Sequence, residues 1–180
     1  MSIRALGLAI VAALTGCSNH PPMKTVDYVD IDRFMGDWYV IANIPTFVET
    51  GAHNAIESYA LNADGTIATT FSFNDGSFDG VRKEYKPTGF IFDRQSNATW
   101  GMQFIWPIKA DYRIVYIKED YSVTVIAREA RDFVWIMSRS PVIEDSEYTR
   151  LVDLISALGY TRAEIQRVPQ YWPGVSVKQS

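Results

Sequence analysis

The stretch Ile67-Ala68-Thr69-Thr70-Phe71-Ser72-Phe73 decides the fold class. Ile67, Thr69, Phe71 and Phe73 fall in one phase and Ala68, Thr70 and Ser72 in the other. Such a period of two marks a strand with one face on an apolar interior and the other on water or a neighbouring element. The preceding Asn62-Ala63-Asp64-Gly65 is a hairpin signal, because Asp-Gly tolerates positive φ. Working outward, Trp100, Met102, Phe104 and Trp106 alternate with Gly101, Gln103 and Ile105, and Phe133, Trp135 and Met137 alternate with Val134, Ile136 and Ser138. Eight segments of this kind follow one another at the spacing of an all-β barrel or sandwich: 38–44, 55–61, 66–73, 83–92, 99–106, 112–118, 122–128 and 133–139. Eight antiparallel strands give a barrel whose interior is packed solid or holds one small ligand, and composition does not decide between the two.

After the strands the period changes. Tyr148, Leu151, Leu154, Ile155 and Leu158 recur at spacings of three and four, with Asp145, Glu147, Arg150 and Asp153 between them. This predicts an amphipathic helix over 144–158, acidic in its first turn, ended by Gly159 and packed outside the barrel. The residues alone thus predict an all-β fold of eight antiparallel strands, a barrel or a sandwich, with one C-terminal α-helix outside. The tail from Tyr160 to Ser180, with Pro169 and Pro173, reads as partly extended and suggests no role.

The chain has 180 residues, 47% of them hydrophobic and 21% charged, which fits one globular domain with a sizeable core. Its 17 Lys and Arg against 21 Asp and Glu give a net charge of −4, without the basic field that nucleic acid would require. Cys17, His20 and His53 are scattered through a tether and a loop, so neither a metal site nor a cofactor is expected.

Met1 to Arg4 carries the amine and one cation, Ala5 to Leu14 is nearly all apolar, and Leu14-Thr15-Gly16-Cys17 closes the run. This is a signal-peptide pattern, too short for a membrane-spanning helix of ~20 residues. It predicts a leader over 1–16, a lipidated tether over 17–28 and a barrel domain with helix and tail over 29–180. Leu14-Thr15-Gly16-Cys17 resembles the lipobox of bacterial lipoproteins. That resemblance implies that Cys17 becomes the mature N-terminus, with a diglyceride on sulfur and a palmitate-like acyl group on its amine. Ser18 rather than Asp after it is similar to enterobacterial lipoproteins sorted to the outer membrane, with the domain facing the periplasm. The alternatives are a plain secreted chain with a leftover thiol, or a buried unreactive Cys.

Gly36-Asp37-Trp38-Tyr39 at the start of the first strand resembles the G-x-W motif of the lipocalin family. Glu119-Asp120-Tyr121 before the seventh strand resembles the family's T-D-Y motif, with Glu in place of Thr. Ser138-Arg139-Ser140-Pro141 resembles the segment of its conserved Arg. The stretch from Asp132 to Pro141 is similar to the bacterial lipocalin subfamily of outer-membrane lipoproteins, and the likeness runs from Gly36 to about Val168. It implies an eight-stranded antiparallel up-and-down β-barrel with one C-terminal α-helix packed outside, in which Trp38 plugs one end under a cation–π contact from Arg139. Gly36, Asp120 and Tyr121 then complete that closed end, a structural rather than catalytic role.

The same resemblance implies a hydrophobic ligand, such as a fatty acid or a lysophospholipid, bound in the open end of the cup and serving envelope maintenance. The alternation supplies a candidate lining: Val40, Ala42, Glu57, Tyr59, Phe71, Phe73, Trp100, Met102, Phe104, Tyr116, Trp135 and Met137. Ala42 and Gly89 would leave volume. Glu57 is an inward carboxylate that either meets a headgroup or sits at a wet rim. Lys109, Arg113 and Arg131 are candidate headgroup contacts at the mouth. Two rivals stand beside this reading. One is a structural envelope lipoprotein with a solid barrel. The other is a lipocalin-fold enzyme, for which the sequence offers no G-x-S-x-G elbow and only His53 inside the domain. Oligomeric state is open, with a homodimer among the alternatives.

Overall fold

The computed structural model describes residues 20–173. The leader over 1–16, Cys17 and the last seven residues lie outside them. Ten strands run in the order β1 (Gly36–Ile44), β2 (Ala52–Leu61), β3 (Ile67–Asp75), β4 (Arg82–Tyr85), β5 (Thr88–Ile91), β6 (Thr99–Ile105), β7 (Ile108–Ile117), β8 (Val123–Ala127), β9 (Val134–Ser138) and β10 (Gln166–Arg167). A short helix α1 (Ile31–Phe34) precedes them, and α2 (Asp145–Ala157) lies between β9 and β10. Each strand pairs antiparallel with the next around the sheet, and β1 also pairs with β9, so the barrel closes.

The barrel has the expected eight walls, because β4 and β5 together make one of them. The segment 83–92 is broken at Lys86-Pro87, where proline has no N–H for the ladder. β4 pairs with β3 alone, whereas β5 pairs with both β3 and β6. One further pairing is short: β10 pairs antiparallel with β1 at Ala42 and Asn43.

Two cores result from the two faces of the wall. Inside, Val29, Phe34, Trp38, Tyr59, Ile67, Phe73, Trp100, Tyr112, Ile114 and Met137 pack together, all nearly inaccessible to solvent. Outside, Leu151, Val152 and Ile155 of α2 cover Ile41, Ala42, Val125, Ala127, Val134 and Ile136. That arrangement explains why β8 and β9 are apolar on both faces, reading as continuous runs rather than clean alternation. α2 is acidic in its first turn through Asp145 and Glu147, and Gly159 follows it at φ +100°, a conformation that L side chains avoid.

Neither end segment is idle. His20 to Tyr28 leads down the outside of the wall: the Met23 N–H donates to the Glu129 carboxylate at 3.0 Å, and the Val26 N–H donates to the Ile114 carbonyl at 3.0 Å. Met23 is buried, so part of the stretch read as a tether is packed. The tail also straps the barrel. The Tyr160 hydroxyl bridges the Arg128 and Phe133 carbonyls, and the Gln170 amide donates to the Val40 and Ala55 carbonyls.

Candidate functional site

The two ends of the barrel differ. Gly36 of β1 pairs with Tyr59 of β2, while Ile44 at the far end of β1 pairs with Val134 of β9. The connections 62–66, 92–98 and 118–122 therefore share the lower end with α1, and 45–51, 76–81, 106–107 and 128–133 share the upper one.

The lower end is filled. The Arg139 guanidinium lies 3.8 Å above the centroid of the Trp38 ring and donates to the carbonyls of Asp37, Arg33, Phe34 and Met35 at 2.7 to 3.0 Å. Trp38 Nε1–H donates to the Phe34 carbonyl at 2.9 Å. Gly36 opens the strand at φ +92°, with the Arg139 guanidinium 3.4 Å from where a Cβ would stand. Asp120 accepts the Ser122 N–H and hydroxyl, closing the turn in which Tyr121 adopts φ +61°. The Tyr121 hydroxyl accepts the Asp30 N–H at 2.8 Å, and its ring carries the Arg33 guanidinium at 4.1 Å. These contacts tie α1 across the opening. The partners of the Arg139 guanidinium and the Trp38 indole N–H are all backbone carbonyls, and Asp120 caps its own turn.

Above the plug, Phe34, Trp38, Tyr59, Trp100 and Tyr112 form a continuous aromatic floor. Trp100 stacks on Tyr112 at 5.3 Å and 15°, and the Tyr59 and Tyr112 hydroxyls are 2.7 Å apart. Over this floor a cavity of about 90 Å³ opens toward the upper end, lined by Val48, Phe71, Met102, Phe104, Ala110, Tyr112 and Trp135 with Thr46, Glu49, Glu57, Asp111 and Arg128. Glu57 faces the floor. Burial pushes its carboxyl up to about 7; the Tyr59 hydroxyl opposes part of that rise and the nearby Glu49 charge adds to it. Burial likewise drives the Tyr59 and Tyr112 phenols well above their ordinary value, reinforced by the Glu57 charge. Glu49 reaches in from the loop after β1. Its carboxylate accepts the Thr46 N–H and Trp135 Nε1–H, both at 2.7 Å, and so folds that loop over the mouth.

The predicted lining divides in three. Glu57, Phe71, Met102, Phe104 and Trp135 border the cavity. Val40, Tyr59, Phe73, Trp100 and Met137 also point inward but belong to the packed interior beneath or beside it. Ala42 and Tyr116 do not point inward. Register shifts between Val40 and Ala42 in β1, and between Ile114 and Tyr116 in β7, reverse the phase and put both side chains on the outer face near α2. The Tyr116 hydroxyl accepts from Arg150 of that helix at 2.7 Å. Gly89 leaves no space either, because Ile67 and Met102 already occupy the place of a side chain.

The three candidate headgroup cations also separate. Arg113 is held by Asp111 and Glu129, and Arg131 by the carbonyls of Glu129, Leu158 and Pro21. Both serve to pin the N-terminal segment. Lys109 is exposed on the outer wall, its ammonium 3.5 Å from the centroid of Phe90. Sequence reasoning missed Arg128 and Glu49, which sit in turns where no periodicity reveals orientation. Arg128 borders the cavity with its Nε buried and unpartnered, as is the Thr46 hydroxyl. His53 is the second residue of β2 rather than part of a loop; its Nδ1 is 2.9 Å from the Gly51 carbonyl and its ring meets Phe78 edge-on. Among the described residues no cluster of metal-ligating side chains occurs.

A closed antiparallel barrel, plugged at one end by a Trp–Arg pair and open to an apolar cavity at the other, defines a class of hydrophobic-ligand binding proteins. The chain belongs to the lipocalins: the sequence model of the lipocalin-like domain matches residues 29–170. It is 30% identical over 157 residues to temperature-induced lipocalin-1 of Arabidopsis thaliana, covering 82% of this chain and 83% of that one. It is 27% identical over 165 residues to the outer membrane lipoprotein Blc of Citrobacter freundii, covering 85% and 91%. Insecticyanin from the tobacco hornworm Manduca sexta shares the fold with a TM-score of 0.64 at 17% identity, over 84% of this chain and 92% of that one. Lipocalins bind hydrophobic ligands and are typically binding proteins rather than enzymes.

Proposed function

We propose that the protein is a lipid-anchored outer-membrane lipocalin whose domain faces the periplasm and takes up the acyl chain of a fatty acid or lysophospholipid for envelope maintenance. The observation that carries the ligand is the apolar cavity opening beside Phe104 and Trp135, floored by aromatic rings and bordered by few polar atoms. Its size sets the mode of binding. A dry cavity of ~150 Å³ holds a benzene, so one of about 90 Å³ takes the end of a chain. The remaining methylenes, each worth ~0.8 kcal/mol when buried, must lie along the mouth or displace the Glu49 loop. A floor at this height favours an end-on ligand with its polar head at the rim. Two features support the anchor: the Leu14-Thr15-Gly16-Cys17 motif and the similarity to proteins that are themselves outer membrane lipoproteins.

Solvent extraction of the purified protein with lipid mass spectrometry, followed by tryptophan-emission titration of the delipidated protein with oleate and a monoacyl phospholipid, tests the ligand. A saturable response is expected in wild type. Ala110→Trp, which projects a ring into the cavity, is expected to abolish it while keeping a near-normal melting temperature. An empty extract together with no saturable response to either lipid would leave the structural alternative in place.

A further inference from the structure

The upper rim carries an unusual load of exposed apolar residues. In the β6–β7 hairpin, Ile105, Trp106 and Ile108 are 73%, 82% and 69% exposed, and Phe47 in the β1–β2 loop is 92% exposed. Phe104, which borders the cavity, leads directly into that hairpin. Side chains of this size, concentrated at one end and continuous with a cavity mouth, mark an interaction face rather than ordinary surface scatter. We propose that this rim is a membrane-docking face, whose hairpin tip inserts into the headgroup region of a phospholipid bilayer.

Two further observations select a bilayer as the occupant. The first is the path of the chain. The Pro21 carbonyl accepts from Arg131 at 2.6 Å and the Met23 N–H donates to Glu129, both in the turn between β8 and β9 at the upper end. Cys17 precedes Pro21 by four residues, which span at most ~14 Å in any conformation. A lipid attached at Cys17 is thereby confined to the neighbourhood of the same end of the barrel that carries the apolar rim. The second is chemistry. A Trp flanked by Ile suits the boundary between headgroups and acyl chains. Three cations of this end are paired with carboxylates, Lys83 with Asp75, Arg113 with Asp111 and Glu129, and Arg128 with Asp132, while Lys109 beside the tip lies over the Phe90 ring. Apolar insertion is therefore the main drive to docking, and the part it supplies persists at high salt. The docking geometry rests on the anchored-lipocalin reading for its biological role, but insertion of the tip does not depend on a ligand in the cup.

The test uses the full chain carrying Cys17→Ser, so that no thioether-linked lipid contributes, with and without Ile105→Ser/Trp106→Ser. Any contribution of the leader is common to both chains. The parent is expected to partition into phosphatidylcholine vesicles at low and high salt, and the rim variant to partition at least about tenfold more weakly at an unchanged melting temperature. Brominated phosphatidylcholine is expected to quench the parent's emission, and Trp106→Phe to remove that quenching. Equal partitioning of parent and rim variant, or no quenching attributable to Trp106, would overturn the proposal. So would concentration-dependent self-association that the rim variant abolishes without vesicle binding in the parent, since a second copy would then cover the rim. Oleate titration without vesicles reads the cup separately: an intact titration with failed vesicle binding removes the docking face and leaves the ligand site standing.

Discussion

Replacing Glu57 by Gln is expected to stabilise the protein at alkaline pH and to do little at acid pH. The reason lies in where the carboxyl sits: in the cavity, facing the aromatic floor formed by Tyr59 and Tyr112, with Glu49 bordering the same space. Its folded-state value of about 7 stands above the ordinary 4.5. Between those two values the folded protein holds a proton that the unfolded chain has released, so stability falls as pH rises through that window and stays low above it. At ~1.36 kcal/mol per pH unit, ionising Glu57 in the folded cup costs about 3 kcal/mol more than in the unfolded chain. Gln is close in shape to the neutral acid and has no charge to bury. The melting temperature of Glu57→Gln relative to wild type is therefore expected to rise by roughly 6 to 12 °C between pH 4.5 and pH 8, at ~2 to 4 °C per kcal/mol for a domain of this size. Calorimetry of delipidated protein across that range supplies the measurement. Parallel pH profiles for variant and wild type, at any offset, would refute the placement of a desolvated carboxyl on the cavity floor.

The same group links pH to the ligand. An acyl chain in the cavity desolvates Glu57 further, so oleate affinity is expected to fall as pH rises past 7, and Glu57→Gln should flatten that dependence in a fluorescence titration. At the closed end, Trp38→Ala is expected to cost ~3 to 5 kcal/mol in urea denaturation. A double-mutant cycle with Arg139→Ala should show coupling of ~0.5 to 3 kcal/mol, because the guanidinium stacks on that ring; strict additivity would deny the contact its energetic role. Glu129→Gln should speed hydrogen exchange at the Met23 amide. Burial would raise the Glu129 carboxyl, but the Met23 N–H, Arg113 and Arg131 together hold it below the usual carboxylate range. In wild type the same tie should therefore persist above about pH 4.5 and loosen as acidification protonates Glu129. Finally, Cys17→Ser should abolish metabolic palmitate labelling while the domain stays folded; retained label would refute the lipoprotein reading.

The architecture was legible because several walls repeat the simplest strand signal. Ile67 to Phe73 and Trp100 to Phe104 alternate, and their inward sets meet Trp135 and Met137 of β9 in one interior. Orientation was lost where the strands carry bulges. Extrapolating one phase through Val40-Ile41-Ala42 sends Ala42 inward, but a one-residue register shift reverses every position beyond it, and no residue type announces such a shift. The one available sign was the unbroken apolar run itself, which means that both faces are covered. Val123 to Ala127 shows the same thing and lies under α2.

What the sequence hid most completely is how the cup is divided. Periodicity says that Trp100 and Trp135 share a phase, and it cannot say at what height each ring stops. Trp100 packs on Tyr112 and closes the floor, whereas Trp135 donates to Glu49 at the mouth. Two residues equivalent in pattern are thus opposite in place: one closes the floor, and the other holds the loop over the mouth. If the proposed acyl ligand binds end-on, a chain that outgrows the cavity either lies along the mouth or displaces that loop at the cost of the Glu49–Trp135 hydrogen bond.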